Sequence, residues 1–219
     1  MREQAEKRRR MVETQLIARG IADGRVLEAM GQVPREVFVA EALRPFAYDD
    51  TALPIAAEQT ISQPYIVALM AEAAAIGPGD LVLEVGAGSG YAAAVLGAMG
   101  AEVVAIERHS ELVALARERM LLLGYPNVGV EEGDGSIGLP ALAPFEAIVV
   151  SAASRRVPPP LLEQLAPGGR LVIPVGPPDA QSLLRITRGT DGTNRREDLG
   201  PVRFVPLIGV HALPPGSPG

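Results

Sequence analysis

"LVLEVGAGSGY", residues 81–91, is the segment from which the fold of this 219-residue chain is most directly predicted. It reads as a buried strand that runs into a turn with Gly86, Gly88 and Gly90 and then into a helix. Glycines at such a turn let the backbone bend sharply and approach a ligand without a clash from a Cβ atom. In a parallel sheet flanked by helices, ligands bind at this strand–loop–helix step.

Strands and helices alternate after this segment. The strands are predicted over 80–85, 102–107, 128–133, 145–152 and 169–176, and the helices over 91–99, 109–124 and 159–165. Two late strands, 181–189 and 201–209, are predicted as an antiparallel hairpin around 190–197. The alternation predicts an α/β fold with a doubly wound, mostly parallel, seven-stranded Rossmann-like sheet.

The residues before the first sheet strand are predicted to be mainly helical. Helices are predicted over 3–19, 24–32, 33–43 and 64–76, with Gly20 and Gly77 as stops and Asp23 as an N-cap. A long connection, 44–63, has little periodicity. We therefore expect one globular domain in three parts. Residues 1–62 form N-terminal helices and a covering loop, residues 63–212 form the cofactor-binding α/β core, and residues 213–219 form a flexible tail.

Composition excludes several classes of function. The net charge of −6 gives no overall attraction to nucleic acid. Cysteine is absent and there are only two histidines, so we expect no metal site. No apolar run approaches the roughly 18 residues of a membrane span, and the charged N-terminus lacks the apolar region of a secretory signal. We expect a cytoplasmic protein, a monomer, that binds neither membrane nor nucleic acid.

Acidic residues end three successive predicted strands: Glu84, Glu107 and Asp134. Glu107 lies about twenty residues beyond the glycine loop, where a carboxylate can accept hydrogen bonds from both ribose hydroxyls. Asp134, in the loop 133–135, can reach the edge of an adenine. Tyr91 stands where a dinucleotide-binding loop needs glycine, and Glu84 would repel a pyrophosphate. A ligand with a ribose and a cationic head suits these residues better, which favours S-adenosylmethionine.

A second motif, "EQTISQP" (58–64), is polar and uncharged after Glu58. With the glycine loop, it makes the chain resemble the protein-L-isoaspartate O-methyltransferases, and the resemblance runs nearly from end to end. The similar stretches include "MVETQLIARGI", "VLEAMGQVPREVFV", "QTISQPYIVALM", "VLEVGAGSGYAAAVL", "GDGSIGLP", "APFEAIVVSAA", "VPPPLLEQLAPGGRLVIPVG" and "VRFVPLIG". The chain departs from the family where Ala56, Ala57 and Glu58 replace part of a usual "PIGxGQT", and also at Ala92, Leu139 and "SAAS" (151–154).

The resemblance implies roles for individual residues. The glycine-loop residues, which would contact the methionine part of the cofactor above Glu84, are Gly86, Ala87, Gly88, Ser89 and Gly90. Glu107 would hold the ribose, and Asp134–Gly135 would surround the adenine. Arg108 and Gln63 are further candidate cofactor contacts. Ser62 and Thr60, the candidate catalytic residues, would border the transferred methyl group and the carboxylate of the substrate.

The implied reaction moves a methyl group from S-adenosylmethionine to the free α-carboxylate of L-isoaspartyl residues in damaged proteins and peptides. It leaves S-adenosylhomocysteine and starts repair through a succinimide. Because opposite charges annihilate in this displacement, a dry and weakly polar site favours it. The composition around the motif agrees, since no Lys or Arg lies between Arg44 and Arg108. Orientation by Thr60 and Ser62 can supply most of the catalysis.

Three alternatives stay open at this stage. The first describes Thr60 and Ser62 simply as a loop and a helix cap before Pro64. A related methyltransferase acting on a small molecule or RNA would share the glycine loop, although no "DPPY"-like or "NPPF"-like tetrapeptide stands at 149–154. A non-catalytic adenosine-binding module would share it too.

Overall fold

The structure, a computed structural model, describes residues 2–213; the predicted tail lies outside these residues except for Leu213. The helices are α1 Arg2–Met11, α2 Gly24–Gln32, α3 Pro64–Ala74, α4 Tyr91–Ala98, α5 Ser110–Leu123 and α6 Pro159–Glu163. The strands are β1 Leu53–Pro54, β2 Thr60–Ile61, β3 Leu81–Val85, β4 Glu102–Glu107, β5 Val128–Glu132, β6 Phe145–Val150, β7 Leu165–Val175, β8 Gln181–Arg188 and β9 Asn194–Val202.

A seven-stranded sheet in the order β5-β4-β3-β6-β7-β8-β9 forms the centre of the molecule. The strands β5, β4, β3, β6 and β7 are parallel, and β8 and β9 follow as an antiparallel meander. This confirms the predicted α/β class. Because β3 is central and parallel to both neighbours, its glycine loop and the ends of β4 and β6 emerge at one edge of the sheet.

The two faces of the sheet bury different layers. Val82 of β3 packs with the α1–α5 layer, whereas Leu83 and Val85 pack in a second cluster with α6. Successive strand side chains point to opposite faces, so Glu84 lies on the same face as Val82. The apolar residues of β3 on both sides of the strand are therefore explained by burial on both faces, and Glu84 is the one polar residue in this strand.

The N-terminal segment differs in detail from one regular helix over 3–19. After α1 the chain forms a π turn over Val12–Leu16 and a 3-10 turn over Ile17–Arg19, and Gly20 ends it at φ +94°. The predicted N-cap is present, since the side chain of Asp23 accepts a hydrogen bond from Arg25 N. The buried side chains of this segment join the core on the α3–α4 face of the sheet.

Several predicted boundaries are wrong, among them the start of β7, which begins at Leu165 instead of residue 169. Residues 33–43 are not one helical piece: two 3-10 turns, Arg35–Phe38 and Glu41–Phe46, replace it. α3 ends at Ala74 because Ala75 adopts a left-handed conformation at φ +49°, before Gly77 is reached. The connection 44–63 contains the short hairpin β1–β2, in which Ala57 and Glu58 are left-handed at φ +55° and +57°. Glu58 thus takes a backbone conformation that favours glycine.

The last strand is also displaced from its predicted position. β9 covers Asn194–Val202 instead of 201–209, and the turn before it is shorter than predicted, since Gly189 N donates to Thr193 O at 2.6 Å. Residues 203–209, here called the strap, cross the edge of the sheet. Their apolar side chains mimic a strand pattern because the strap pairs with the segment after β6, where Ala153 N donates to Val205 O at 2.8 Å and Leu207 N donates to Ala153 O at 2.7 Å.

Candidate active site

A cleft of about 670 Å³ lies at the carboxyl edge of the sheet. We call it the first cleft. Its lining residues come from six segments: Gln59, Thr60, Val85, Gly86, Gly88, Ile106, Glu107, Arg108, His109, Gly133, Gly135, Ser151, Ala152, Val205, Pro206, Leu207 and Ile208. Six of the predicted site residues therefore meet here, from Thr60 to Gly135.

The glycines of the loop have two different structural roles. Gly86 and Gly88 line the first cleft and have φ values of +85° and +52°, which an L side chain rarely adopts. Gly90, at φ +88°, faces α5 instead, and a Cβ there would lie 3.0 Å from the Cε of Met120. The loop is held against β4, since the N–H groups of Gly86 and Ala87 both donate to the carbonyl of Ile106, at 2.8 and 3.0 Å.

Glu107 is 5% exposed and lies at the wall of the first cleft. Its two carboxylate oxygens accept hydrogen bonds from Gly88 N and His109 N, both at 2.9 Å. A carboxylate has about four acceptor positions, so two remain for a ligand. Glu107 can thus fix the glycine loop and accept hydrogen bonds from two neighbouring hydroxyls, the pattern of a ribose.

Glu84 is fully buried below the loop. Its Oε1 is 3.4 Å from the hydroxyl of Ser151, which donates to it, and its Oε2 has no hydrogen-bond partner among the residues described. Burial raises the pKa of Glu84 to about 8; the Ser151 hydroxyl opposes this shift and the charge of Glu107 adds to it. An unpartnered buried carboxyl oxygen is costly, and a cation beside it would remove that cost. This fits the cationic methionine part of S-adenosylmethionine.

Asp134 and Gly135 are placed differently from each other. Gly135 lines the first cleft, and a Cβ at this position would collide with Val85 Cγ1. Asp134 instead uses its carboxylate within the protein: Oδ1 accepts from Ser136 N and Oγ at 2.9 and 2.7 Å, and Oδ2 accepts from Val210 N at 2.8 Å. Burial works against these hydrogen bonds, but they still lower the pKa of Asp134. Asp134 therefore ties the strap's end to the loop after β5.

The other predicted loop residues lie behind the cleft surface. Ala87 and Ser89 are 5% and 3% exposed, and neither is among the residues that line the first cleft. Ser89 offers its carbonyl to Arg119, whose Nη1 donates to it at 2.9 Å. Their role in the structure is to shape the loop from behind. Arg108, by contrast, lines the cleft.

A second cleft, of about 1000 Å³, adjoins the first. Ser62 and Gln63 line it, and three residues line both clefts: Thr60, Ser151 and Val205. We call these three the shared wall. Gln63, not Ser62, is the N-cap of α3, and this cap makes no side-chain hydrogen bond. The Gln63 side chain donates to Asp50 O at 3.1 Å, so it braces the loop before the motif.

The structure adds residues that the sequence reasoning missed. Ser151 and Val205 belong to the shared wall, and Arg203 lines the second cleft. A polar residue directly after the buried strand β6 is a signal that could have identified Ser151. Val205 and Arg203 have no such signal, because the sequence of residues 201–209 predicts a strand and not a segment that crosses the edge of the sheet. Although no Lys or Arg lies between Arg44 and Arg108, both clefts contain an arginine: Arg108 lines the first and Arg203 lines the second.

The described residues show neither a membrane-spanning helix nor a metal-binding cluster. Within residues 2–213, no helix is both long and apolar enough to span a bilayer. The same part of the chain contains no group of three or more acidic or histidine side chains arranged to hold a metal ion.

The chain is similar in sequence to curated proteins over nearly its whole length. Residues 6–212 match the family model for protein-L-isoaspartate(D-aspartate) O-methyltransferase. A protein-L-isoaspartate O-methyltransferase from Methylorubrum extorquens (strain PA1) is 60% identical over 94% of this chain and 90% of its own length. A protein of the same name from Roseiflexus sp. (strain RS-1) is 59% identical over 95% of this chain and 94% of its own length.

Solved structures with the same description share the fold. One protein-L-isoaspartate O-methyltransferase superposes with a TM-score of 0.84 at 28% identity, over 93% of this chain and 67% of that chain. A second structure, from Plasmodium falciparum and described as a protein-L-isoaspartate O-methyltransferase in complex with S-adenosyl-L-homocysteine, has a TM-score of 0.80 at 29% identity, over 91% of this chain and 97% of that chain.

Proposed function

The chain belongs to the protein-L-isoaspartate(D-aspartate) O-methyltransferase family, and on that premise we propose how its two clefts divide the family's reaction. The enzyme transfers a methyl group from S-adenosylmethionine to the α-carboxylate of L-isoaspartyl residues in proteins and peptides. The first cleft holds the cofactor and the second holds the isoaspartyl residue. The observation that carries this assignment is the shared wall, where Thr60, Ser151 and Val205 face both clefts.

The first cleft has a suitable residue for each part of the cofactor. Glu107 accepts hydrogen bonds from the ribose hydroxyls, and Arg108 borders the same region. The backbone at Gly86 and Gly88 leaves room for the methionine part, and Glu84 faces its positive charge. Gly133 and Gly135, which line the cleft after β5, leave a flat surface for the adenine ring. When bound, S-adenosylmethionine supplies an electrophilic methyl group that a carboxylate can displace.

The second cleft orients the nucleophile. A carboxylate is already ionised near neutral pH, so no general base is required. Thr60 and Ser62 make none of the side-chain hydrogen bonds found among residues 2–213, so their hydroxyls can donate to the substrate carboxylate and aim it at the shared wall. Val67, Met70 and Ala71 of α3 lie behind Ser62 and Ser151 and exclude water from that side. Thr60 and Ser62 act by positioning in a weakly polar site.

A methyl-transfer assay with an isoaspartyl peptide and its normal aspartyl twin tests this function. Methylation of the isoaspartyl peptide alone is the expected result. Transfer to a small molecule or RNA instead would support another methyltransferase activity. Binding of S-adenosylmethionine without transfer to either peptide would support an adenosine-binding module.

The physical state of the enzyme is a separate proposal. We propose that it acts as a cytoplasmic monomer, with isoaspartyl proteins and peptides as its partners and without nucleic acid or membrane contacts. The negative net charge supports the absence of nucleic-acid binding. Light scattering during size-exclusion chromatography tests the monomeric state, and a dimer mass would contradict it.

A further inference from the structure

Two arginines with no assigned role line the outer end of the substrate region. Arg203 lines the second cleft and also a neighbouring cleft of about 590 Å³, which we call the flanking cleft. Arg155 lines the flanking cleft as well. Phe204 is common to the second and flanking clefts, so a peptide that leaves the second cleft past Phe204 enters a space with two guanidinium groups.

The backbone that carries these arginines is held in place on both sides. Gln181, 7% exposed, uses its amide to clamp Phe204: Phe204 N donates to its Oε1 at 2.7 Å and its Nε2 donates to Phe204 O at 3.1 Å. The hydrogen bonds between Ala153 and the strap fix the two segments relative to each other. Arg155 and Arg203 therefore project from a preorganised frame, which lowers the entropy cost of binding a ligand there.

The charges of both arginines are uncompensated in the described part of the chain. Neither forms an ion pair within residues 2–213, whereas Asp50, the acidic residue of the second cleft, is 3.0 Å from Arg19. Asp179, next to the lining residue Pro178, is exposed and forms no ion pair within the same range. Two free guanidinium groups at a cleft are suited to a carboxylate, because the planar fork of arginine matches its two oxygens.

We propose that Arg203 and Arg155 form a subsite for an acidic side chain that flanks the isoaspartyl residue of the substrate. This inference rests on the proposed function and adds a substrate preference to it. Arg155 lines only the flanking cleft, and Arg203 lies where that cleft meets the second one. An acidic side chain in the flanking cleft can therefore pair with both arginines while the carboxylate that is methylated lies against Thr60 and Ser62. The preference then appears in KM and leaves kcat nearly unchanged.

The test uses acetylated and amidated isoaspartyl peptides, so that no chain terminus carries a charge. Each peptide has Glu, Gln or Lys at one position near the isoaspartyl residue, on either its N-terminal or its C-terminal side. Equilibrium binding is measured in the presence of S-adenosylhomocysteine, and methyl transfer is measured in parallel. On one side we expect Glu peptides to bind about two- to five-fold more tightly than Gln peptides for each arginine. The advantage shrinks at high salt.

Variants connect the preference to the two residues. Arg203→Gln and Arg155→Gln each reduce the Glu-over-Gln ratio, the double variant removes it, and Arg203→Lys restores part of it. Asp179→Asn, which removes the exposed acid next to the lining residue Pro178, raises the ratio. Arg156→Gln is the matched control, since Arg156 is adjacent and exposed but lines none of the three clefts.

Two results would overturn the inference: equal binding of Glu and Gln peptides on both sides of the isoaspartyl residue, or a Glu preference that persists in the double variant. Failure of the proposed function would give a different experimental result. In that case the neutral isoaspartyl peptide is not methylated, and the binding comparison still reports on the arginines.

Discussion

The backbone N–H of Gly88 donates to the carboxylate of Glu107 at 2.9 Å, which ties the glycine loop after β3 to the end of β4. The second oxygen of Glu107 holds His109 N at the same distance. One acidic side chain therefore shapes the loop and, in the proposed cofactor site, also offers acceptors to the ribose. Removing the Glu107 carboxylate therefore affects both the glycine loop and the proposed ribose contact.

Glu107→Ala is expected to weaken S-adenosylmethionine binding by about 1–3 kcal/mol, because charge-assisted hydrogen bonds are lost. Glu107→Gln keeps one acceptor oxygen and should give a smaller loss. Titration calorimetry measures both. Unchanged affinity in Glu107→Ala would remove this residue from the cofactor site.

Gly88→Val is expected to abolish cofactor binding in a protein that remains folded, because the branched side chain enters the first cleft at φ +52°. Gly79→Val is the matched control, because Gly79 also has a positive φ, +81°, but lines neither cleft. A Cβ atom at Gly79 would meet no other atom within 4 Å. Both variants carry backbone strain of about 1–3 kcal/mol, and only Gly88→Val should lose binding. Equal cofactor affinity in the two variants would contradict this assignment.

Ser62→Ala is expected to lower turnover about ten- to a hundred-fold, the effect of one lost orienting hydrogen bond of roughly 1–3 kcal/mol. Cofactor affinity should change little, since Ser62 lines the second cleft and not the first. Single-turnover kinetics with an isoaspartyl peptide measure the effect, and Thr14→Ala, on the exposed N-terminal segment, serves as control. A complete loss of transfer would point to a covalent or basic role for Ser62, and a wild-type rate would leave it without a catalytic role.

Glu84 predicts a specific dependence of stability on pH. Its carboxyl group stays neutral in the folded protein up to its pKa of about 8, whereas in the unfolded chain it ionises near its ordinary value of 4.5. The folded state therefore holds one more proton between these values, and its stability falls as the pH rises through this window. Relative to Glu84→Gln, the wild type should lose on the order of 2–4 kcal/mol of unfolding free energy between pH 5 and pH 8.5.

Urea unfolding of the ligand-free wild type and Glu84→Gln at several pH values measures that difference. If the unfolding free energies of the two proteins change in parallel with pH, Glu84 is ionised in the folded state throughout this range. The same variant should bind S-adenosylmethionine more weakly than the wild type, because an amide, unlike the Glu84 carboxyl group, cannot ionise beside the cationic part of the cofactor.

Asp134→Ala is expected to release the end of the strap and to weaken both cofactor and peptide binding by about 1–2 kcal/mol, since the Val210 hydrogen bond is lost. Gly209→Ala should act similarly, because its Cβ would collide with Asp134 Oδ1. Asp198→Ala is the control, as Asp198 accepts a comparable backbone hydrogen bond from Gly200 N at 2.9 Å on the exposed β9 strand. Wild-type binding by Asp134→Ala would show that the strap is held without this carboxylate.

Local sequence was enough to predict the parallel part of the fold. β3 and its glycine loop combine a largely apolar strand with a sharp turn, and strand-length segments alternate with helical patterns after it. The meander was harder to place. Val205 and Leu207 have the alternation of a strand, but their partners are Ala153 and the cleft, which are distant in sequence and carry no local signal.

The candidate site shows the same contrast. Glu107 could be predicted to lie at the site because the end of a strand and the spacing from the loop fix its position. Asp134 has equivalent sequence features, yet its carboxylate is used by Ser136 and Val210. Nothing in the loop after β5 indicates a partner 76 residues away. Arg203 lines the second cleft only because of the path that the strap takes.

The shared wall can be completed only late in translation. Thr60, Ser151 and Val205 emerge from the ribosome early, in the middle and late. A nascent chain therefore displays its glycine loop well before it has a place where a methyl group can be transferred. Premature fragments, even those that keep the whole parallel sheet, should be inert toward damaged proteins.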